Sequence, residues 1–299
     1  MFHWLPVILI SYFFFSLSSF GDKLILRGPI KPKLYTFYVG VFGLFVLLAL
    51  PFISFTAISI ETLFLAISTG VAFTLGLYCM YYALERFEAS KVIPVIGAVQ
   101  PIVLLLLSAV FFGYSITEMN LIAFIVLLFG SIVVSFENHF RVSIVFLKYT
   151  FLSAIFFSMD YLILKLIFLQ QPFLQGLLIT RLAIFLAVTP LLFSRKFRKE
   201  IFSSKNVLNK KTGALFLGTQ TAGGIAVFLQ SFAISLVPAA SLAILNALRG
   251  AQYVFLFMIT LFFSFFFPKI LREKILLSTL LKKGVGIGCI VLGIVLLVI

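Results

Sequence analysis

Long apolar stretches recur along the whole chain and are separated by short polar gaps. Most of them have about 17 to 25 residues, which as an α-helix is enough to cross ~30 Å of hydrocarbon. We predict ten such spans, numbered span 1 to span 10, at residues 4–26, 34–53, 62–84, 89–112, 118–136, 147–169, 174–193, 213–235, 238–267 and 284–299. The pattern therefore predicts an all-α polytopic membrane protein with ten transmembrane helices.

Little chain remains outside these spans. The longest connection, residues 194–212, is rich in Lys and Arg, and we interpret it as a solvated basic loop rather than a domain. The first apolar run is too long for a secretory signal and has no basic segment before it, so we expect span 1 to remain in the mature protein.

The composition excludes a soluble globular protein, since 63% of the residues are hydrophobic and only 11% are charged. The net charge of +14 would elsewhere suggest nucleic acid, but the bases lie between apolar runs, so the expected partner is the lipid bilayer. Cys79 and Cys289 lie inside apolar runs, which argues against a disulfide framework or a thiolate metal cluster. We expect no metal, cofactor or nucleic acid.

The basic residues predict the orientation in the membrane. Of the 23 Lys and Arg residues, 19 lie in the gaps after spans 1, 3, 5, 7 and 9 or within three residues of them, and none lies in the other gaps or at the termini. These residues are Arg27, Lys31, Lys33, Arg86, Lys91, Arg141, Lys148, Arg195, Lys196, Arg198, Lys199, Lys205, Lys210, Lys211, Lys269, Arg272, Lys274, Lys282 and Lys283. Because Lys and Arg in short loops stay in the cytoplasm, we predict a multi-pass protein of the plasma (inner) membrane with both termini outside.

A weak internal repeat relates the two halves. The segment Asp22–Arg27 ends span 1 and the similar segment Asp160–Lys165 lies in span 6, at an offset of 138 residues. Ala83 and Ala89 match Ala233 and Ala239 at an offset of 150.

Five spans in each half place the second half in the membrane upside down relative to the first. We therefore predict two inverted five-helix repeats, residues 1–138 and residues 139–299. This symmetry is typical of carriers, because rocking the halves about a central site opens one face and closes the other.

A set of residues in each half forms an ordered pattern. The set is Tyr82, Ala83, Leu84, Ala89, Ser90, Val92, Pro94, Pro101, Phe112, Gly113, Ile116, Thr117 and Gly130 in the first half, and Arg181, Val237, Pro238, Ala239, Ala240, Ser241, Pro268, Glu273, Gly284, Gly286 and Gly293 in the second. In the order of these residues the chain resembles the drug/metabolite transporter superfamily, and within it the EamA-like ten-helix transporters. This resemblance implies a secondary carrier for small polar metabolites, amino acids or amphipathic drugs, commonly outward, with a cavity lined by spans 1, 3, 4, 6, 8 and 9. Many members of that family have both termini in the cytosol, whereas the charges here predict the opposite.

Six charged residues lie inside the predicted spans and outside the first and last three residues of each, where a charge facing lipid costs several kcal/mol. They are Asp22, Lys23, Asp160, Lys165, Arg181 and Arg249. Four bases against two acids predict a cationic interior that favours an anionic or zwitterionic solute.

Each of these charges has a more ordinary interpretation. Lys23 and Lys165 lie near span ends, where long side chains reach the interface. Arg181 and Arg249 either contact the solute or form a structural ion pair with Asp160. Asp160 is also the candidate for a proton-coupled carboxylate.

Asp22 is interpreted as a gate or helix-end residue. Pro94 and Pro101 remove backbone hydrogen bonds in span 4, and the resulting kinks suit gating.

Amides in the spans either orient the solute or bond across helices at about 1 kcal/mol each. They are Gln100, Gln220, Gln230, Asn246 and Gln252. The spacing of Gly284 and Gly288 predicts a packing face or a homodimer surface. Tyr78, Tyr81 and Tyr82 fit an interfacial belt better than a cavity wall.

Two alternatives to a carrier of soluble metabolites remain open. A flippase for a lipid or a lipid-linked sugar would use the same scaffold with a groove open to the bilayer. A lipid-modifying enzyme is disfavoured, because His3 and His139 lie at opposite ends of the first half and neither a metal-ligand spacing nor a Walker loop occurs. We therefore assign no catalytic residue.

The predicted orientation can be tested by cysteine labelling of intact cells after both native cysteines are replaced by serine. A membrane-impermeant maleimide should react with Phe2→Cys and should leave Lys205→Cys unmodified until the cells are opened. The reverse pattern would show that the chain is inserted the other way round.

Overall fold

The structure is a computed structural model and describes residues 3–26, 31–87, 89–113, 117–135, 143–203, 210–266 and 277–298. All regular secondary structure within these ranges is helical, which confirms an all-α polytopic membrane protein. Several residues named above lie outside them: Phe2, Arg27, Ile116, His139, Arg141, Lys205, Pro268, Lys269, Arg272, Glu273 and Lys274.

The helices follow the predicted spans closely. They are α1 (Trp4–Leu26), α2 (Pro32–Phe42), α3 (Ile60–Arg86), α4 (Ala89–Phe112), α5 (Glu118–Ser135), α6 (Ile144–Gln170), α7 (Phe173–Val188), α8 (Arg195–Ser203), α9 (Lys210–Leu236), α10 (Leu242–Ala247), α11 (Gly250–Phe266) and α12 (Leu277–Val298). Short 3-10 segments, Gly43–Phe52 after α2 and Thr189–Phe193 after α7, complete spans 2 and 7. A third, Ala239–Ser241, begins span 9.

Within the described ranges, eight helical segments are long and apolar enough to cross a membrane, and two shorter apolar helices lie at Glu118–Val133 and Gly284–Leu296. These segments coincide with the ten predicted spans. By length alone, however, only the eight meet the requirement for a span, so the count of ten stays a prediction.

The basic connection after span 7 is not wholly a loop, which corrects the sequence-based interpretation. Residues Arg195–Ser203 form α8, whose Phe197 is buried against Leu34, Phe37 and Val188. Because Phe197 and Ile201 share one helical face, they anchor the helix while its bases face outward.

Two long-range helix crossings organise the bundle. Helix α1 packs along α9, and α3 packs along α6. Each crossing carries a buried hydrogen bond of the same kind: Ser11 Oγ donates to the Ala226 carbonyl at 2.7 Å, and Ser153 Oγ donates to the Gly76 carbonyl at 2.9 Å. Serine hydroxyls that bond to a neighbouring backbone are typical of helix association in membranes.

The remaining helices pack in pairs, among them α5 with α12 and α3 with α7. Close approach depends on glycine, since a Cβ on Gly70 would lie 2.6 Å from the Ala183 backbone and one on Gly130 would lie 2.8 Å from the Gly286 carbonyl oxygen. Gly284 and Gly288, by contrast, have nothing within 4 Å of an added Cβ in the described chain. A homodimer through that face stays a prediction.

The contacts at the helix ends agree with basic gaps that share one face. Tyr82 and Tyr149, next to the third and fifth gaps, have ring centroids 4.0 Å apart. Lys33 of the first gap lies 5.3 Å from the Phe197 ring of the seventh. The placement of the termini outside, and the division into repeats at residue 138, stay predictions.

The Gly70 contact gives a stability test. Gly70→Ala should destabilise the protein by about 1 to 3 kcal/mol, because α3 must move away from the α7 backbone to admit the methyl group. Thermal unfolding in detergent should show a lower melting temperature.

The control for this test is Gly218→Ala. Gly218 also lies within a helix, but has nothing within 4 Å of an added Cβ. Equal melting temperatures for the two variants would contradict the close approach.

Candidate functional site

A cavity of about 750 Å³ lies among helices from both halves of the chain. Its walls come from α1, α2, α3, α4, α6, α7, α9 and α11, together with the 3-10 segment Gly43–Phe52. The wall thus includes spans 2 and 7, which the family resemblance did not imply.

Most of the predicted site residues meet at this cavity. Those that line it are Asp22, Asp160, Arg181, Gln220, Gln230, Arg249 and Gln252. Gln100, Pro101 and Asn246 are buried but are not among its lining residues. Helix α4 continues through Pro94 and Pro101 from Ala89 to Phe112, and the gating role of these prolines stays a prediction.

Asp22 belongs to a chain of buried hydrogen bonds. The Tyr35 hydroxyl donates to Asp22 Oδ1, and Gln220 Nε2 donates to the Tyr35 hydroxyl at 3.0 Å. The ring of Tyr35 packs on Tyr81 with centroids 4.7 Å apart. This chain ties α1, α2 and α9 together on one side of the cavity.

Asp160 occupies the corresponding position in α6. Thr69 Oγ1 donates to Asp160 Oδ1 at 2.8 Å, and the charge of Arg181 lies close enough to attract this carboxylate. Within the part of the chain that the structure describes, no direct salt bridge joins Asp160 to Arg181. The predicted structural ion pair is therefore not formed.

Arg181 is the least satisfied group in the cavity. Its guanidinium lies 5.5 Å from the centroid of the Phe73 ring, and its Nε is buried without a hydrogen-bond partner. Among the described residues it makes no hydrogen bond at all. A guanidinium has five N–H donors, so this cation can accept a carboxylate or phosphate group without losing protein contacts.

Arg249 is held differently, at the break between α10 and α11. Its Nη1 donates to Gln100 Oε1, which makes Gln100 a positioning residue. The hydroxyl groups of Tyr161 and Tyr253 lie within its electrostatic range. Only glycine fits at position 97, because a Cβ there would lie 1.6 Å from the Tyr253 hydroxyl oxygen.

Lys165 does not reach the interface, contrary to the sequence-based interpretation. It is buried in the protein, and its Nζ donates to the carbonyls of Ile234, Ser235 and Val237 at 3.1, 3.2 and 2.6 Å. These are the unpaired carbonyls at the negative end of α9, where a cation is favourable.

The predicted cationic interior is therefore wrong as a description of the cavity. Lys23 and Lys165 are not among its lining residues, so the charged groups that line it are Arg181 and Arg249 against Asp22 and Asp160. The lining carries equal numbers of positive and negative side chains, well suited to a zwitterion.

The amides divide between the two interpretations offered for them. Gln100, Gln220 and Gln252 bond across helices, the last donating from Nε2 to Ser19 Oγ at 3.1 Å. The Gln230 Nε2 and both side-chain polar atoms of Asn246 are buried without a hydrogen-bond partner among the described residues. Of these two residues, only Gln230 lines the cavity.

The sequence reading missed several polar residues of the site. Tyr35 and Thr69 hold the two aspartates, and Tyr81, interpreted as part of an interfacial belt, is buried and lines the cavity. The repeat could have revealed one of them, since Thr69 and Thr219 lie 150 residues apart. Thr219 packs against Gly21, the neighbour of Asp22 in the chain, so closely that a Cβ at position 21 would lie 2.0 Å from Thr219 Oγ1.

Apart from these groups and Ser18, the side chains of the wall are apolar. Phe45, Leu48 and Phe52 of the 3-10 segment face Ile225 and Phe228 of α9, and all five line the cavity while remaining exposed. The site can hold a polar group at one end and an apolar body at the other.

The comparisons with known proteins agree with this architecture. No curated protein matches the sequence, but 27 chains of solved structures resemble the fold. One of them, a protein crystal structure, aligns over 97% of this chain and 96% of its own with a TM-score of 0.65 and 15% identity. At that identity the likeness shows the fold alone.

The family comparison covers the first half of the chain. The EamA-like transporter family matches residues 3–136, which contain α1 to α5 and half of the cavity wall. This confirms the resemblance drawn from the sequence: residues 3–136 match the EamA-like transporter family, and the chain as a whole is a membrane protein with several apolar helices.

Proposed function

We propose that the chain is a secondary carrier, in the export direction common in its family, for small amphipathic metabolites that bear an anionic or zwitterionic group. The observation that carries the proposal is Arg181, a cavity-lining guanidinium without a hydrogen bond in the described chain. A buried cation without a partner is costly, and a carboxylate or phosphate on the solute would remove that cost.

The arrangement of charge favours a zwitterion. Asp160 lies near Arg181 without a direct salt bridge, so both groups have capacity left for a solute. The solute anion would bind Arg181 and its ammonium group would bind Asp160. Desolvated charge pairs of this kind contribute to affinity only when every donor is satisfied, which makes the site selective.

The apolar wall favours a solute with a hydrophobic body. Phe15, Phe42, Phe73 and Leu77 line the cavity close to the charged groups. A pocket of about 750 Å³ is within the range of sites for small metabolites.

Alternating access is supported by the likeness of the two helix crossings. The pair α1–α9 and the pair α3–α6 each carry a serine-to-carbonyl bond, and each places a threonine of one helix against the other helix: Thr69 Oγ1 donates to Asp160 Oδ1, and Thr219 packs against Gly21. If the halves are inverted repeats, the two crossings exchange roles as the cavity opens to one side and then the other. Asp160, held only by Thr69, is then the candidate for coupling to protons.

A flippase for a lipid or a lipid-linked sugar is the second candidate. It is favoured by one specific observation, the exposed apolar residues that line the cavity between the 3-10 segment and α9. A simple assay distinguishes a lipid-modifying enzyme from both a carrier and a flippase. An enzyme consumes its substrate in detergent, whereas a carrier only redistributes it across a sealed vesicle.

Ligand binding can be tested with four probes that differ by one feature each: phenylalanine, phenethylamine without the carboxylate, 3-phenylpropionate without the ammonium group, and glycine without the ring. Phenylalanine should raise the melting temperature of the purified protein most, since binding at 100 times Kd stabilises by about 2.7 kcal/mol. A wider screen of amino acids, nucleosides and lipid precursors would then identify better ligands.

Two substitutions test the site itself. Arg181→Gln and Asp160→Asn should each weaken binding of the best probe at least tenfold and abolish its counterflow in proteoliposomes, because each removes one charged partner. The controls are Arg86→Gln and Glu85→Gln, which alter an exposed salt bridge of 2.8 Å outside the cavity. Full binding and flux in both site variants would contradict the proposal.

A further inference from the structure

The cavity is open on one side, between the 3-10 segment Gly43–Phe52 and the middle of α9. At one end of this opening Phe216 of α9 contacts Tyr38 and Phe42, with ring centroids 6.0 and 6.1 Å apart. At the other end Phe173 of α7 contacts Phe228 and Phe232, with centroids 5.4 and 5.1 Å apart. These aromatic contacts bound the opening from both ends.

Exposure identifies the residues that form the rim. Leu48 and Phe52 are 73% and 77% exposed although they line the cavity, and Phe45, Ile225 and Phe228 combine the same two properties. A residue that lines a cavity and is also exposed on the outside lies at its mouth. We call these five residues the lateral mouth.

A missing side chain keeps the lateral mouth open. Gly224 of α9 lines the cavity, and a Cβ there would have nothing within 4 Å, whereas a Cβ on Gly223 would lie 2.9 Å from Ser18 Oγ of α1. The packing of α3 against α7 is different, because there Gly70 brings the two backbones into contact. Glycine therefore allows close packing of α3 against α7, whereas at Gly224 of α9 the absence of a side chain leaves open space.

The chemistry changes from the rim inward. All five residues of the lateral mouth are apolar, and the segments that carry them are apolar enough to lie in the membrane, so the mouth faces acyl chains rather than water. At the inner end, an added Cβ on Gly43 would lie 3.8 Å from the Arg181 side chain. A route lined by hydrocarbon thus leads directly to an unpaired cation.

We propose that the lateral mouth is a binding site for the hydrocarbon tail of a single-chain anionic amphiphile, which enters from the bilayer while its head group binds Arg181. This deepens the proposed function, since it names the class of solute and its route of entry. Charge complementarity selects this occupant, since the lateral mouth is wholly apolar and Arg181 at its inner end makes no hydrogen bond in the described chain.

The test uses a stearic acid with a diazirine near the end of its chain. The full-length protein is placed in phosphatidylcholine nanodiscs with this probe, irradiated and mapped by mass spectrometry. Wild type should be labelled on the cavity side of residues 43–52 and 223–230. Arg181→Gln should lower that labelling at least fivefold, because the head group loses its anchor.

Gly224→Leu is the variant that fills the lateral mouth, and it should reduce the labelling at least tenfold. Gly218→Leu is the matched control, since it is an exposed glycine of the same helix with equal space for a Cβ but does not line the cavity. It should be labelled like wild type. If Gly224→Leu fails to fold, Ala49→Phe fills the mouth from the opposite wall.

Labelling that persists in the folded mouth variants, or that in wild type is confined to residues outside the cavity, overturns the proposal. Labelling that falls in Gly224→Leu but not in Arg181→Gln also overturns it, because the mouth would then hold only a bilayer lipid without recognition of its head. These outcomes are independent of solute flux. Absence of flux for every solute would overturn the carrier function but not the lateral mouth. Absence of labelling at the mouth would overturn this inference but not the carrier function.

Discussion

A charge in the hydrocarbon core must have a partner, and the rest of this structure is arranged around that constraint. Lys165 is satisfied by three carbonyls at the end of α9, and Asp22 by the Tyr35 hydroxyl. Arg249 is satisfied in part by Gln100. Arg181 alone among the cavity-lining charges of the described chain has no hydrogen bond. Its guanidinium is therefore the group at which we propose that a solute binds.

The polar groups depend on close packing of the helices that carry them. Small residues at the crossings, such as Gly21 beside Thr219 and Gly70 beside Ala183, bring backbones near enough for serine and threonine hydroxyls to reach across. In lipid this packing replaces the hydrophobic effect as the force between helices. At Gly224, by contrast, the absence of a side chain leaves an opening rather than a contact between helices.

The cavity combines these features into an amphipathic site. Two arginines and two aspartates line it, and phenylalanines form part of the remaining wall. A carrier of amphipathic solutes and a flippase differ mainly in whether the apolar end of the solute stays in the bilayer during transport. Both are compatible with this helical scaffold, because one fold can serve many solutes when the side chains of its cavity vary.

The sequence by itself determined the helices, because a span needs only length and hydropathy, and the predicted boundaries agree with the observed helices to within a few residues for nearly all spans. It also identified six charges inside the spans, of which Asp22, Asp160 and Lys165 are buried and Lys23, Arg181 and Arg249 are partly buried. Only the tertiary structure decided their partners. Lys165 is bound to the end of α9 and not to the interface, and Tyr35 and Thr69 hold the aspartates. The direction in which a side chain points depends on the rotation of its helix and on the angle at which the helix crosses its neighbours. A helix that is apolar on every side has no hydropathy pattern from which the rotation or the crossing angle could be predicted.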